Sequence, residues 1–547
     1  MDLGVILPAE RIAAMTAAGH WHDFTVIDCL DAAAAELPDK VALTDRNSTT
    51  GGATTLSFRE LKLLSERLGA GLAALGVDKG DVVSYQLPNW WQFVALYLAS
   101  VRIGAIANPL MPIFRERELL HMLGLAEAKV LVIPQSFRKF DYSSMVAGIR
   151  DKLPALKHVL AIGGEDHSFE KFAARRWEDE IDSKRLFDAR RQGPNDVTKI
   201  LFTSGTTGES KGVMHTANTL FANLVEFTKR LEMGADDVVL MASPLAHQIG
   251  FIYGMLQSIM IKSKLVLMDI WNGEDAARLI QDEGVTFTMG ATPFLADLTD
   301  LPALDNYDIS SLRMFVCGGA PISEALAKRA TKRLDRPVVS AWGITECGAV
   351  TTTKLSDAGD KVFESDGCAF PGAEIRVFDA NGVTCLGSEG ELKVRGASNF
   401  VGYLKRPSLF NVDANGWLDT GDLARIDPEG YIRITGRSKD IIVRNGENIP
   451  VIEIESLLYH HPCIQDVAVV AMPDPRVGER ACAFITLKTK AQQLTLADIT
   501  AFLAEHRIAK QYYPERIEIV DALPRTPSGK IQKFKLRELA KGFGARS

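Results

Sequence analysis

The stretch Leu201–Thr216, LFTSGTTGESKGVMHT, sets Gly205 and Gly208 among hydroxyls and closes on Lys211. Glycines let successive backbone N–H groups turn toward one anion. Thr203, Ser204, Thr206 and Thr207 add hydroxyl donors and Lys211 adds a point charge, so phosphate is the ligand this loop suits. The common nucleotide loops do not fit. A P-loop reads G-x-x-x-x-G-K-[ST], whereas Ser210 precedes Lys211 here and Gly212 follows it, leaving no hydroxyl to meet magnesium. The G-x-G-x-x-G fingerprint fails as well, and a polar surface turn stands as the plain alternative.

The loop needs a scaffold, and the flanking sequence supplies one. Ser57 and Glu60 form a capping box for a helix carrying Leu61, Leu64, Leu68, Leu72 and Leu75 on one face. DVVSYQL reads as a buried strand, Gln92–Ile103 as a helix, and strands recur at 130, 158, 199, 264 and 313. Short apolar strands separated by helices predict parallel sheets in a large α/β domain. From about 373 the texture changes to EIRVFD, GELKVRG, ARID and YIRITG, separated by glycine-containing turns, which predicts a small β-rich subdomain. The last stretch alternates helix, two strands, helix and a basic tail, as a compact α+β domain would.

At 547 residues, two or more domains are expected, and 46% hydrophobic with 24% charged residues is the balance of a globular protein. A formal charge of −7 argues against nucleic acid as a partner. Seven cysteines without a C-x-x-C pair predict a reduced chain. MDLGVILPAE has an acid where a secretory signal has bases, and Phe93–Phe114 is too interrupted to span a bilayer. A cytoplasmic protein without integral membrane segments, monomer or homodimer, is expected.

Four further stretches carry a resemblance: AWGITECG (341–348), WLDTGDLARID (417–427), ITGRSKDIIVRNGENI (434–449) and PRTPSGKIQK (524–533). In this order and spacing, with the glycine-rich loop, the chain resembles the acyl-adenylate-forming superfamily of acyl-CoA ligases, luciferases and peptide synthetase adenylation domains. YQLPNWWQF, GATPF and KDIIVRNGENI resemble in particular the bacterial short- and medium-chain or alicyclic acid–CoA ligases, such as cyclohexanecarboxylate–CoA ligase.

The resemblance implies a large N-terminal domain over 1–438, with the β-rich subdomain at about 373–438, and a mobile C-terminal domain over 439–547 hinged at Lys439. It implies that a carboxylate and ATP give acyl-AMP and pyrophosphate, after which the thiol of coenzyme A gives acyl-CoA and AMP. Under it the loop Thr203–Lys211 (with Gly205 and Gly208) holds the β- and γ-phosphates, Thr345 donates to the α-phosphate and Glu346 holds Mg²⁺; a helix cap is the plain reading of a Thr-Glu pair. Gly318, Gly319, Ala320 and Pro321, with Ala341, Trp342, Gly343 and Ile434, line the nucleotide. Trp342 resembles the aromatic against adenine, with a core tryptophan as the alternative.

Asp422 takes the ribose hydroxyls, with Arg437 as a further donor; a turn residue is the bland reading. His247 resembles a gatekeeper between acyl pocket and thiol tunnel, against a satisfied core histidine. Phe251, Gly254, Thr292 and Gly319 line the acyl pocket, and Gly446 lines the thiol tunnel. Lys530 spans the attacking carboxylate and the α-phosphate, while Lys533 and Lys535 read as solvated charges. Pro524–Lys530 also resembles the target of protein acetyltransferases, with a deacetylase as the reversing partner. FIYGMLQSI and GATPF contain no charge, so an uncharged acid is expected. Aryl acids, and a carrier protein as acyl acceptor, are the alternatives.

Overall fold

A computed structural model describes the chain except residues 1, 165–167, 204–209, 320–321, 358, 439, 445–446, 450, 475–477, 490–492, 507, 509, 527–528 and 545–547. The capping box closes as expected: the Ser57 hydroxyl accepts from the Glu60 amide, and the Glu60 carboxylate accepts from the Ser57 N–H at 2.8 Å. Helix Phe58–Ala74 follows, burying Leu61, Leu68 and Leu72, with Leu64 and Leu75 half-buried. It packs against helix Trp91–Arg102, whose buried Arg102 is paired with Asp31 at 2.8 Å.

The predicted apolar strands sort into two sheets. One is six-stranded, in the order Lys211–Thr216, Val197–Thr203, Ile106–Pro109, Val82–Tyr85, Val130–Pro134, His158–Ile162, parallel except for the first hairpin. The other is nine-stranded and parallel from Val338–Ile344 through Met314–Gly318, Phe287–Gly290, Val238–Met241 and Lys264–Met268 to Val41–Arg46, with antiparallel strands at both edges. Helices cover these strands, as buried parallel sheets require.

The β-rich subdomain is a four-stranded antiparallel sheet of Ala373–Phe378, Gly390–Gly396, Leu418–Ile426 and Ile432–Arg437. The C-terminal domain is built on a five-stranded sheet around the long hairpin Ile464–Asp474/Gly478–Leu487, with Ile454, Leu458, Val467, Ile485 and Ile499 in its own core. The expected hinge, Lys439, lies outside the described residues; beside it Ser438 N–H donates to Gly421 O at 3.0 Å and Asp440 N–H to Arg437 O at 2.9 Å.

One expectation is corrected in the C-terminal domain. Lys533 is not a solvated charge: its Nζ lies 2.7 Å from Glu455 Oε1, and both side chains are mostly buried. Burial pushes the Glu455 carboxyl up, and the Lys533 charge opposes that shift. Lys535, two residues on, is exposed as expected. All seven cysteines are free, and among the described residues no helix is long and apolar enough to cross a membrane.

Candidate active site

Parallel α/β sheets leave their ligand sites beyond the carboxyl ends of the strands. Here the ends of Val238–Met241, Phe287–Gly290, Met314–Gly318 and Val338–Ile344 deliver, in turn, His247, Thr292, Gly319 and the Trp342–Glu346 segment to one edge of the nine-stranded sheet. The six-stranded sheet brings Thr203 and Lys211, opposed in register at the mouth of the glycine-rich loop. Ser204, Gly205, Thr206, Thr207 and Gly208 lie outside the described residues, as do Ala320 and Pro321.

The turn at Thr345–Glu346 is fixed from several sides. The Thr345 carbonyl accepts from His215 Nε2 at 2.8 Å and from Gln248 Nε2 at 3.1 Å, and the Glu346 carbonyl accepts from Phe400 N–H at 2.7 Å. A carbonyl cannot donate, so His215 carries its proton on Nε2, and Nδ1 faces the Thr219 hydroxyl at 3.0 Å. Burial, then the Lys199 charge, lowers the His215 pKa to about 3, so this ring is a neutral strut.

Glu346 Oε1 accepts from the Tyr403 hydroxyl at 2.8 Å, and Lys211 Nζ lies 4.7 Å from the centroid of the same Tyr403 ring. Tyr403 thus sits between the carboxylate and the cation that the sequence assigns to metal and phosphate. The Tyr403 loop is itself paired with the hairpin: Met214 N–H donates to Gly402 O at 3.0 Å and Leu404 N–H to Gly212 O at 2.8 Å. The N-terminal segment clamps it from outside, with Ile6 N–H on Val401 O at 2.7 Å and Lys405 N–H on Leu3 O at 2.8 Å.

Asp422 belongs to strand Leu418–Ile426 and stands opposite Arg437, so the turn-residue reading is replaced by a strand position. Its buried carboxylate accepts from Arg437 Nε at 2.7 Å through Oδ1 and from Trp342 Nε1 at 3.0 Å through Oδ2. Trp342 is 8% exposed and packs with Val213, Leu392 and Phe400, so the core reading describes its ring and the indole N–H orients Asp422. The Ile434 N–H donates to buried Asp366 at 2.8 Å. Close approach fixes the glycines: a Cβ on Gly343 would lie 1.9 Å from Gly348 O, and one on Gly318 would lie 2.8 Å from Ala341 O.

On the acyl side, Gly319 is exposed with φ +84°, and the nearest atom to a Cβ placed there is Ile249 Cδ1 at 3.4 Å. His247 Nδ1 accepts from Ile249 N–H at 3.3 Å, which leaves the proton on Nε2. Burial, then the charges of Lys530 and Lys199, lowers its pKa to about 4. Phe251 and Gly254, expected in the acyl wall, are both fully buried. They lie on a π-helical turn, Gly250–Leu256, where a Cβ on Gly254 would press Met241 Cγ at 2.6 Å and Phe251 packs edge-on to Tyr97 at 4.8 Å.

Lys530 reaches this edge on a tight turn, in which its N–H donates to the Thr526 hydroxyl at 3.0 Å and Gly529 adopts φ +85°. A Cβ on Gly529 would meet Pro293 Cγ at 3.2 Å and Ala291 Cβ at 3.4 Å, so the turn is seated against GATPF. Lys530 is exposed by surface area, yet protein atoms crowd it inside the cleft. That crowding, then the Arg437 charge, lowers its pKa to about 8.

Residues 30–404 match the family model described as AMP-binding enzyme, and residues 453–530 match that of the AMP-binding enzyme C-terminal domain. The chain belongs to the AMP-binding enzyme family. Within this adenylate-forming family it is 37% identical over 546 residues to a medium-chain fatty-acid–CoA ligase of Escherichia coli (strain K12), covering 98% of this chain and 94% of that protein. The anthranilate CoA ligase AuaEII in complex with anthranoyl-AMP superposes with TM-score 0.84 at 26% identity, covering 96% of this chain and 98% of that one. ATP-bound MatB from Rhodopseudomonas palustris gives 0.84 at 27% identity, covering 95% and 100%, and its apo form gives 0.72.

Among the described residues no group of three or more His, Cys, Asp or Glu forms a metal cage. A single carboxylate with one oxygen anchored, as in Glu346, suits magnesium, which keeps its waters and draws further oxygens from phosphates. Sequence reading missed Tyr403, Gln248, Lys199 and His215. Gln248 adjoins His247 and His215 lies in the quoted stretch Leu201–Thr216, whereas Tyr403 comes from a distant segment.

Proposed function

We propose that the chain is an AMP-forming carboxylic acid–CoA ligase acting on an uncharged acid, a short- or medium-chain or alicyclic (cyclohexanecarboxylate) one. The observation that carries this reading is Lys530 seated in the cleft beside His247, Arg437 and Asp422. A carboxylate attacking the α-phosphate brings two anions together, so catalysis is chiefly positioning and charge neutralisation. Lys530 meets both anions, Thr345 donates to the α-phosphate, and Asp422, oriented by Arg437 and Trp342, accepts from the ribose hydroxyls. Thr203 and Lys211, with the loop between them, hold the β- and γ-phosphates. Magnesium, bound through Glu346, supplies further neutralisation of the phosphate charge.

Thioester formation then needs the other face of the C-terminal domain, carrying Gly446, which implies rotation about Lys439. Ile249 Cδ1 beside Gly319, and the absence of charged residues from FIYGMLQSI and GATPF, favour an uncharged acyl chain, and the medium-chain relative agrees in kind. The similarity to AuaEII supports an aryl acid as the second reading. Pyrophosphate release is the test, measured with and without CoA across linear, alicyclic, aromatic, dicarboxylic and amino acids. Turnover of the linear or alicyclic acids, with AMP and acyl-CoA as products, is expected. Preference for an aromatic acid selects the second reading, and robust turnover of an amino acid or dicarboxylate overturns the uncharged-chain assignment.

A further inference from the structure

Lys199 lies on strand Val197–Thr203, four residues before the glycine-rich loop, and is 0% exposed. No carboxylate is paired with it among the described residues. Its Nζ donates to Gln248 Oε1 at 2.6 Å and stands 4.2 Å from the Phe251 ring centroid. Gln248, 5% exposed, then donates from Nε2 to the Thr345 carbonyl at 3.1 Å. Lys199 is also the cross-strand partner of His215, the second donor to that carbonyl. Strand, turn and Thr345 are therefore joined in one buried chain of hydrogen bonds.

A buried amine with one hydrogen bond and a ring face is a poor choice for stability, because a methionine fills the same space without desolvation cost. Local rules broken in a core mark sites held for function. We propose that Lys199 is a positioning residue: through Gln248 it fixes the Thr345 carbonyl and, with it, the hydroxyl that meets the α-phosphate. The proposal rests on the role given to Thr345 above. It also couples the acyl side of the cleft to the nucleotide side, since Gln248 adjoins His247 in the same turn.

The variants are Lys199→Met, Gln248→Met and the double substitution, each assayed by AMP titration calorimetry, thermal melting and acid-dependent pyrophosphate exchange. Each single change is expected to weaken AMP binding by about tenfold, and the double no further than the worse single, as members of one chain behave. Lys199→Met orphans Gln248 Oε1 and is expected to melt lower than the wild type. The double substitution, which removes both partners, is expected to regain the melting temperature without regaining AMP affinity, a combination that a merely structural lysine does not give. Unchanged AMP affinity, multiplicative losses in the double, or AMP affinity that returns in the double together with its melting temperature would each overturn the proposal. If the wild type shows no acid-dependent exchange, the ligase reading falls, while the AMP affinities still decide the role of Lys199.

Discussion

Lys530 is asked to carry charge between two anions, yet its surroundings weaken that charge before substrate arrives. With its pKa lowered to about 8, first by crowding and then by Arg437, the amine loses its proton as pH rises through that value. The kcat/KM of adenylation reports the free enzyme, so it should fall on an alkaline limb centred near pH 8. ATP phosphates restore the ammonium, so the limb in kcat should move higher. Lys530→Arg keeps its charge and should lose the limb while lowering the overall rate. A limb that survives in Lys530→Arg belongs to another group. Tyr403 gives a second test at this scale. Tyr403→Phe removes the hydrogen bond on Glu346 Oε1 and should raise the Mg²⁺ concentration for half-maximal activity by about tenfold, as loss of a ligand's supporting partner does. MgATP binding should weaken with it, and equal Mg²⁺ dependence of the two proteins would exclude this role.

Secondary elements decide which of two lysines in one tail is structural. Lys533 opens helix Lys533–Gly544 and is turned inward onto Glu455, whereas Lys535 points to solvent. Lys533→Ala leaves Glu455 buried without its partner, which should cost the C-terminal domain about 3 kcal/mol in a urea titration. Adding Glu455→Gln should recover most of that loss, because the uncompensated charge is removed. Lys535→Ala should leave both stability and activity near wild type, so it is the proper control for Lys530 variants. If Lys533→Ala unfolds at the wild-type midpoint, the pair contributes nothing.

At the scale of the whole molecule, the seating of Gly529 on Ala291 and Pro293 places the C-terminal domain with its Lys530 face toward the nucleotide edge. The closer superposition on ATP-bound than on apo MatB is in keeping with that arrangement. A Cβ at 529 would stand 3.4 Å from Ala291 Cβ, close to the separation a disulfide takes. Ala291→Cys with Gly529→Cys, once oxidised, should therefore retain adenylation and lose conversion of supplied acyl-AMP to acyl-CoA. Reduction should return the second step. Retention of both steps in folded, oxidised protein would count against domain rotation.

Local chemistry explains what the sequence determined on its own. Ser57 and Glu60 cap within one turn, and apolar runs at 82, 130, 199 and 313 become buried parallel strands. The five motifs were legible for the same reason, since each is a short segment whose spacing carries its chemistry. Tertiary structure alone decided which distant groups orient them. Trp342 and Arg437 share Asp422, Tyr403 links Glu346 with Lys211, and Lys199 reaches Thr345 through Gln248. These contacts join separate strands and turns, and no local pattern encodes a partner that only packing brings near. The surroundings of Phe251 and Gly254 follow the same rule, since the π-helical turn that carries them packs against Met241 and Tyr97 from other elements.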